Sequence, residues 1–304
     1  MKKLMITLGA VAAAAVTFTA QAEDTPAQNE AAKPEAAEAE TTEAEEDSPL
    51  FEVALQLDVK SSYVSHNRIF SDKPVAQYDL WLQLNLPENF GWIAADIWAN
   101  QELHKRNSSP STGNGGKRLG GFGEFDYEII YGNSIGPVNL TASHLWYTYP
   151  RCGWGSQKFW TVGAEYDNEF VVPSIKFFWE YCHDNKPDEA FMIDFALSRE
   201  FQLTSISKDL SLGLTSKTTL YTSEYAKYIS GGALTDTVFG GWDNGIKLSY
   251  ALTDNISLGA YINYLYKIDH RVRHCPGWDS YSVDNTHKSY NGILYGGVSD
   301  SLAF

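Results

Sequence analysis

From Phe51 onward the chain alternates apolar and polar residues with a period of two. Phe51, Val53, Leu55, Leu57 and Val59 stand opposite Glu52, Gln56, Asp58 and Lys60. Tyr78, Leu80, Leu82 and Leu84 alternate with Asp79, Trp81 and Gln83. Ile93, Ala95, Ile97 and Ala99 alternate with Asp96, Trp98 and Asn100, and Phe125, Tyr127, Ile129 and Tyr131 with Glu124, Asp126 and Glu128. This is the period of a β-strand whose two faces meet different surroundings. Further strands are predicted near 138–149, 159–167, 171–181, 191–198, 210–214, 246–252, 256–264 and 294–304. In 138–149 the register is ambiguous, because His144 and Trp146 share a face with Leu140. The count is about twelve strands of roughly ten residues, the length that crosses a bilayer when tilted.

The connections alternate in length. Short ones fall near 87–91, 133–136, 168–170, 201–208 and 253–255, and longer ones near 64–75, 101–123, 150–157, 182–189, 221–242 and 266–288. A soluble sandwich has no reason for that asymmetry, whereas a membrane barrel has short turns at one rim and long loops at the other. An even strand number puts both ends of the barrel at the short-turn rim. The last strand places Leu294, Gly296, Val298, Asp300, Leu302 and Phe304 on one face. A terminal apolar strand is explained if it pairs with the first strand, leaving no open edge in lipid. It resembles the C-terminal signature of bacterial outer-membrane barrels. That likeness implies that Val298, Leu302 and Phe304 are read by the barrel-assembly machinery. The expected fold is all-β, a transmembrane antiparallel up-and-down β-barrel over residues 50–304.

Composition changes this picture little. The mean hydropathy of -0.30 is polar, yet there are 9 Trp, 18 Tyr and 15 Phe. Lumen-facing residues dilute lipid-facing ones in a barrel, so the two facts agree. Residues 1–22 read as a secretory signal peptide: Lys2 and Lys3, an apolar Ala-rich run, then Ala20-Gln21-Ala22. Residues 23–49 form an acidic Ala/Glu-rich tract with no aromatic before the barrel, expected to be a disordered periplasmic tether. A formal charge of -15 gives no electrostatic support for nucleic-acid binding. Of three cysteines, Cys152 and Cys182 fall in neighbouring long loops and could form a disulfide; unpaired thiols are the alternative.

Ser61-Ser62-Tyr63-Val64-Ser65-His66-Asn67-Arg68, followed by Pro74-Val75-Ala76-Gln77, resembles the first hairpin of the TorF-like porins. Their pattern is S-x-Y-V-x-R-G and then Pro-Val-x-Gln. Here His66 stands at the family's Arg and Asn67 at its Gly. Asn tolerates a left-handed turn next best after Gly, so the backbone reason for the Gly survives. The resemblance implies an outer-membrane barrel with a pore and no assigned solute.

If the apolar face meets lipid, Asp58, Asp79, Trp81, Asp96, Trp98, Glu124, Asp126, Glu128, Glu165, Asp194 and Lys247 line the lumen. Acids outnumber bases there, and rings of Asp and Glu favour cations. Each acid could instead pair with a lysine across the lumen. Enzymatic constellations are absent: Ser143 and His144 are adjacent and point to opposite faces. His270, His274 and Cys275 could take up a metal, but their spacing supplies no fourth ligand. No cofactor is expected. The sequence therefore reads as a porin-like outer-membrane channel, embedded in lipid and lipopolysaccharide, for passive diffusion of small polar solutes with cation preference. The alternative is a non-conducting structural or adhesive barrel with a plugged lumen, acting through its outer loops.

Overall fold

The structure is a computed structural model and describes residues 50–87, 90–103, 122–150, 156–182, 190–275, 278–279 and 291–304. The expected signal peptide and tether, and Cys152 of the proposed disulfide together with the side chain of Cys182, lie outside the described residues. Twelve antiparallel strands close on themselves. They are β1 (Phe51–Lys60), β4 (Val75–Asn85), β5 (Trp92–Glu102), β6 (Phe122–Ile135), β7 (Val138–Thr148), β8 (Gln157–Tyr166), β9 (Val172–Cys182), β10 (Ala190–Gln202), β11 (Leu210–Tyr221), β12 (Val238–Ala251), β13 (Ile256–Tyr266) and β14 (Gly292–Ala303). Two more strands, β2 (Tyr63–Ser65) and β3 (Arg68–Ser71), form a hairpin of their own. Two short helices, α1 (Ser223–Ile229) and α2 (His270–Arg273), lie in the last two long connections.

The seam that closes the barrel is β1 against β14. Leu55 faces Leu302 and Val59 faces Val298. The ladder runs to the last residue, where Val53 and Phe304 exchange both backbone bonds at 2.9 and 3.1 Å. This is the pairing that an apolar terminal strand was expected to make. The strands also run further into one turn than the sequence suggested. β6 and β7 pair to Ile135 and Val138, so the turn expected at 133–136 shrinks to Gly136 and Pro137, with Gly136 at φ 58°. The ambiguous register of β7 resolves with Ser143 and Leu145 inward and buried, and His144 and Trp146 outward.

The outer wall is apolar. Leu57, Ile97, Val162, Phe177, Leu197, Ile246, Leu258 and Val298 are all exposed on it. Exposed aromatics gather at both rims. Trp146, Trp160, Trp179, Trp242 and Tyr266 mark the loop end, and Phe51, Phe90, Tyr131, Tyr166, Phe170, Phe201, Tyr250 and Phe304 the turn end. An apolar band between two aromatic girdles is the surface a bilayer requires of a barrel.

Inside, glycines make room for aromatic rings on the neighbouring strand. Gly132 is paired with Trp92 and Gly297 with Tyr261. A Cβ on Gly297 would stand 2.4 Å from the Tyr261 hydroxyl and 2.5 Å from the Val59 carbonyl oxygen. The second neighbour is backbone of the closing seam and has nowhere to go. Gly297→Val should therefore cost about 1–3 kcal/mol of overpacking and lower the refolding yield. A heat-modifiability gel checks this, and a wild-type yield would show that the seam can open around the added atoms.

Candidate functional site

Period-two alternation delivers the expected side chains to the inner face. Asp58, Asp79, Trp81, Asp96, Trp98, Glu124, Asp126, Glu128, Glu165, Asp194 and Lys247 all stand on inward positions of their strands. They do not form one lining, because they divide into three groups.

The first group is a partly open acidic arc on β4, β5 and β6. Asp96 sits across from Glu128, and Trp98 lies between Asp79 and Asp126 in register. Lys176 reaches over from β9 to Glu128 at 2.9 Å, and Ser143 donates to the same carboxylate. Asp58 is held by Lys60 at 3.4 Å and Gln56 at 3.0 Å. Pairing thus accounts for Glu128 and Asp58. Among the described residues Asp79, Asp96 and Asp126 make no ion pair, and each has one buried oxygen with no hydrogen-bond partner. The Asp79 and Asp96 carboxyls hydrogen-bond each other, which takes a shared proton, so the arc is acidic without being three full charges.

The second group faces the turn end. Trp81 meets Trp92 edge to face, with ring centroids 5.6 Å apart. Beside them Asn85 donates to Glu52 at 2.6 Å, and Gln83 donates to Asn85 at 2.8 Å. Glu165 is exposed near the same rim and Lys247 is half-buried on β12. This vestibule is polar and solvated, as a barrel interior should be.

The third group is not open to the lumen. The β2–β3 hairpin, which the sequence placed in a plain loop, folds inward across the loop end. Its two-residue turn is His66-Asn67, at φ 45° and 56°, between the paired Ser65 and Arg68. Both turn residues being left-handed is the type I′ geometry that suits a hairpin's twist. Strain of this kind in residues other than Gly persists where surroundings over-determine it. Here they do. His66 Nδ1 lies 3.0 Å from Asp194 Oδ2, and its Nε2 is 3.4 Å from the Tyr147 hydroxyl. The His66 carbonyl accepts from Tyr221, and Asn67 Oδ1 accepts from the Thr219 amide at 2.5 Å. Asp194 also takes Lys217 at 2.8 Å and the Thr219 hydroxyl at 2.6 Å.

The hairpin's flanks are as firmly seated as its tip. Val64 and Ile69 pack on Leu265 and Tyr295 of β13 and β14. Tyr63 packs on Val75 and Trp98, which is only 8% exposed, and meets the Trp98 ring at 5.6 Å. Glu124 is buried beneath it, hydrogen-bonded to Tyr63 and Tyr149. A third apolar cluster joins Phe159, Phe178, Met192 and Tyr221 of the wall to Tyr225 of α1, Val272 of α2 and Trp278. Contacts to β5, β7, β10, β11, β13 and β14 run round the ring, so the hairpin spans the lumen. Trp98, Glu124 and Asp194, expected to line an open pore, are covered by it.

The strap after α2 pins the hairpin from above. Arg68 Nε donates to the Trp278 carbonyl at 3.0 Å, and the Ile69 amide donates to Asp279 at 3.3 Å. Asp279 is in turn paired with Lys267 just beyond β13. Burial lowers the Lys267 ammonium from its ordinary value, and the Asp279 carboxylate works against that. Removing one partner of such a buried pair strands the other. Lys267→Met should thus loosen the strap by about 3–5 kcal/mol, visible as faster hydrogen exchange in the hairpin amides. Unchanged exchange would show that the pair does not hold the strap.

Sequence reasoning found the acidic arc and missed the plug. His66-Asn67 was legible as a left-handed turn, but nothing local said that the turn points into the lumen. Ser143 and His144 do fall on opposite faces. His144 sits outside in the aromatic girdle, 2.5 Å from the Tyr181 hydroxyl.

No family model and no curated protein matches the chain. The resemblance of residues 61–77 to the TorF-like porins therefore stays local. Among solved structures, the NanC porin is similar at 13% identity and a TM-score of 0.47, over 82% of this chain and 98% of that one. The KdgM porin is similar at 7% identity and a TM-score of 0.42, over 83% and 99%. A loop L8 deletion mutant of OmpT, an outer membrane protein of Vibrio cholerae, follows at 8% identity and 0.39, over 84% and 98%. Likeness at TM-scores below 0.5 is slight, and it assigns no solute or role to this chain.

Proposed function

We propose that the chain is a porin-like channel of the bacterial outer membrane whose outer mouth is held closed by the β2–β3 hairpin. The observation that carries this reading is the contrast between the two walls of one closed barrel. The outside is apolar between aromatic girdles, and the inside is polar with an acidic arc in which Asp79, Asp96 and Asp126 make no ion pair among the described residues. The turn end, where the barrel starts and finishes, is the periplasmic side. The outer belt meets lipid and lipopolysaccharide, and Val298, Leu302 and Phe304 serve assembly. The solute is small and polar, and a cation is favoured because Asp79, Asp96 and Asp126 face the path.

Conductance of the refolded barrel in a planar bilayer under a salt gradient tests this. The expected record shows brief steps from a mostly closed channel, with a cation-selective reversal potential. Asp79→Asn, Asp96→Asn and Asp126→Asn together should move that potential toward zero. An unchanged potential would mean that selectivity is set elsewhere.

A second reading has its own support. Three apolar clusters seal the mouth, and sealing of that quality suits a non-conducting structural or adhesive barrel. Silence of the barrel even after the hairpin is removed would favour it.

A further inference from the structure

The strap that pins the hairpin carries two imidazoles on its outer side. Asp269 caps α2 by accepting from the Arg271 amide at 2.9 Å, and one turn later comes His274. Residues four apart share a helix face. The His270 and His274 rings are both exposed, with centroids 4.4 Å apart. Two imidazoles bound side by side to one ion at about 2.0–2.1 Å have ring centroids roughly 4.5 Å apart at a right angle and roughly 5 Å at a tetrahedral one. The observed spacing is short enough for both rings to turn a nitrogen to one ion, and a site of two imidazoles completed by water holds copper(II) or nickel(II) more tightly than the other divalent first-row ions.

We propose that His270 and His274 form an external two-nitrogen site for a copper(II)- or nickel(II)-type ion, and that the bound ion stiffens the strap over the hairpin. Among the described residues no three His, Cys, Asp or Glu side chains gather closely enough to enclose an ion, so water completes the shell. Cys275 is buried beneath and is not a ligand. One of the two neighbouring cations is neutralised by acids and the other is drawn toward an aromatic ring. Arg271 is engaged by Asp236 at 3.0 Å and by Asp269 at 2.7 Å, and its guanidinium holds the Asp269 carboxyl below its ordinary range. Arg273 lies 5.9 Å from the Tyr266 ring. The opposite face of the same turn puts Val272 into the apolar cluster with Tyr221, Tyr225 and Trp278. Trp278 and Asp279 hold Arg68 and Ile69 of the hairpin. Fixing the turn from outside therefore fixes the hairpin's anchor. The site itself does not depend on the channel reading.

Copper(II) titration of the refolded full-length barrel tests it, by calorimetry for affinity and by electron paramagnetic resonance for nitrogen count. One ion per barrel with two nitrogen ligands is expected. His270→Ala and His274→Ala should each weaken binding about tenfold or more. Both substitutions are exposed, so folding is not at issue. Unchanged affinity in either variant, or no tight binding in the parent, overturns the site. Hydrogen exchange of the 63–71 amides reads the coupling whether or not the barrel conducts. Copper(II) should slow it in the parent and not in the double variant. Equal exchange with and without copper(II), binding intact, overturns the link to the hairpin.

Discussion

Replacing residues 62–72 with a four-residue Gly/Ser turn should raise single-channel conductance on the order of tenfold or more, given the lumen width of twelve strands. The geometry allows the change. Lys60 and Val75 are direct register partners, so β1 and β4 are already side by side where the hairpin leaves and returns. A short turn bridges them without moving a strand. The deletion removes Tyr63, Val64 and Ile69 from the lumen and exposes Leu265, Tyr295 and Trp98 to water. Each apolar side chain exposed in this way gives up about 1.5–3 kcal/mol, so the loop end becomes less stable. The interstrand ladder is untouched, and the barrel stays closed. The path that opens runs along β4, β5, β13 and β14, because Trp278 and α1 still cover Phe159, Phe178 and Met192 on the other side. Large, long-lived, cation-selective steps are the expected result. A folded variant that conducts no more than the parent would remove the hairpin from the mechanism, and a silent one would leave the non-conducting reading.

The fold was legible because a membrane barrel writes both of its solvents into every strand. Each lipid-facing residue had to be apolar and each lumen-facing one was free to be polar, so Leu57 beside Asp58 or Ile97 beside Asp96 carried the signal locally. The terminal Phe304 was legible for the same reason, since an unpaired edge has no place in lipid. The plug was not legible. Val64 and Ile69 bury themselves against Leu265 and Tyr295, about two hundred residues later in the chain. His66 meets Asp194 across 128 positions, and no period links them. The inward residues were identified as a set, but alternation says only in or out. It does not separate Asp126, which is half-buried, from Glu124 two residues away, which is fully buried beneath Tyr63. Height along the strand makes that difference, and another segment's position decides it.

Asp194→Asn should unlatch the hairpin, as His66→Ala does, and should loosen the wall as well. The carboxylate gathers three donors at the hairpin tip: His66 at 3.0 Å, Lys217 at 2.8 Å and Thr219 at 2.6 Å. His66→Ala removes one of these bonds and the edge-to-face contact of His66 with Phe178, 4.9 Å between centroids. It leaves Asp194 and Lys217 paired. Asp194→Asn weakens all three bonds and strands the Lys217 ammonium, a loss of about 3–5 kcal/mol where both partners are fully buried. Lys217 keeps 24% of its side chain exposed, so the loss here is smaller. Of the three, only the His66 bond crosses from hairpin to wall, so the closed-to-open ratio feels the loss of one hydrogen bond to a carboxylate, about 1.5–3 kcal/mol; at 1.4 kcal/mol per tenfold, open probability should rise about tenfold or more. A general weakening of the wall could mimic this. Asp194→Asn with Lys217→Gln separates the two, because removing both charges restores the wall while His66 stays released. The double variant should melt near the parent and still open more often. If it closes like the parent, Asp194 serves the wall and the latch lies elsewhere, with Tyr221, Tyr147 and the Thr219 amide as the remaining holds on the hairpin tip.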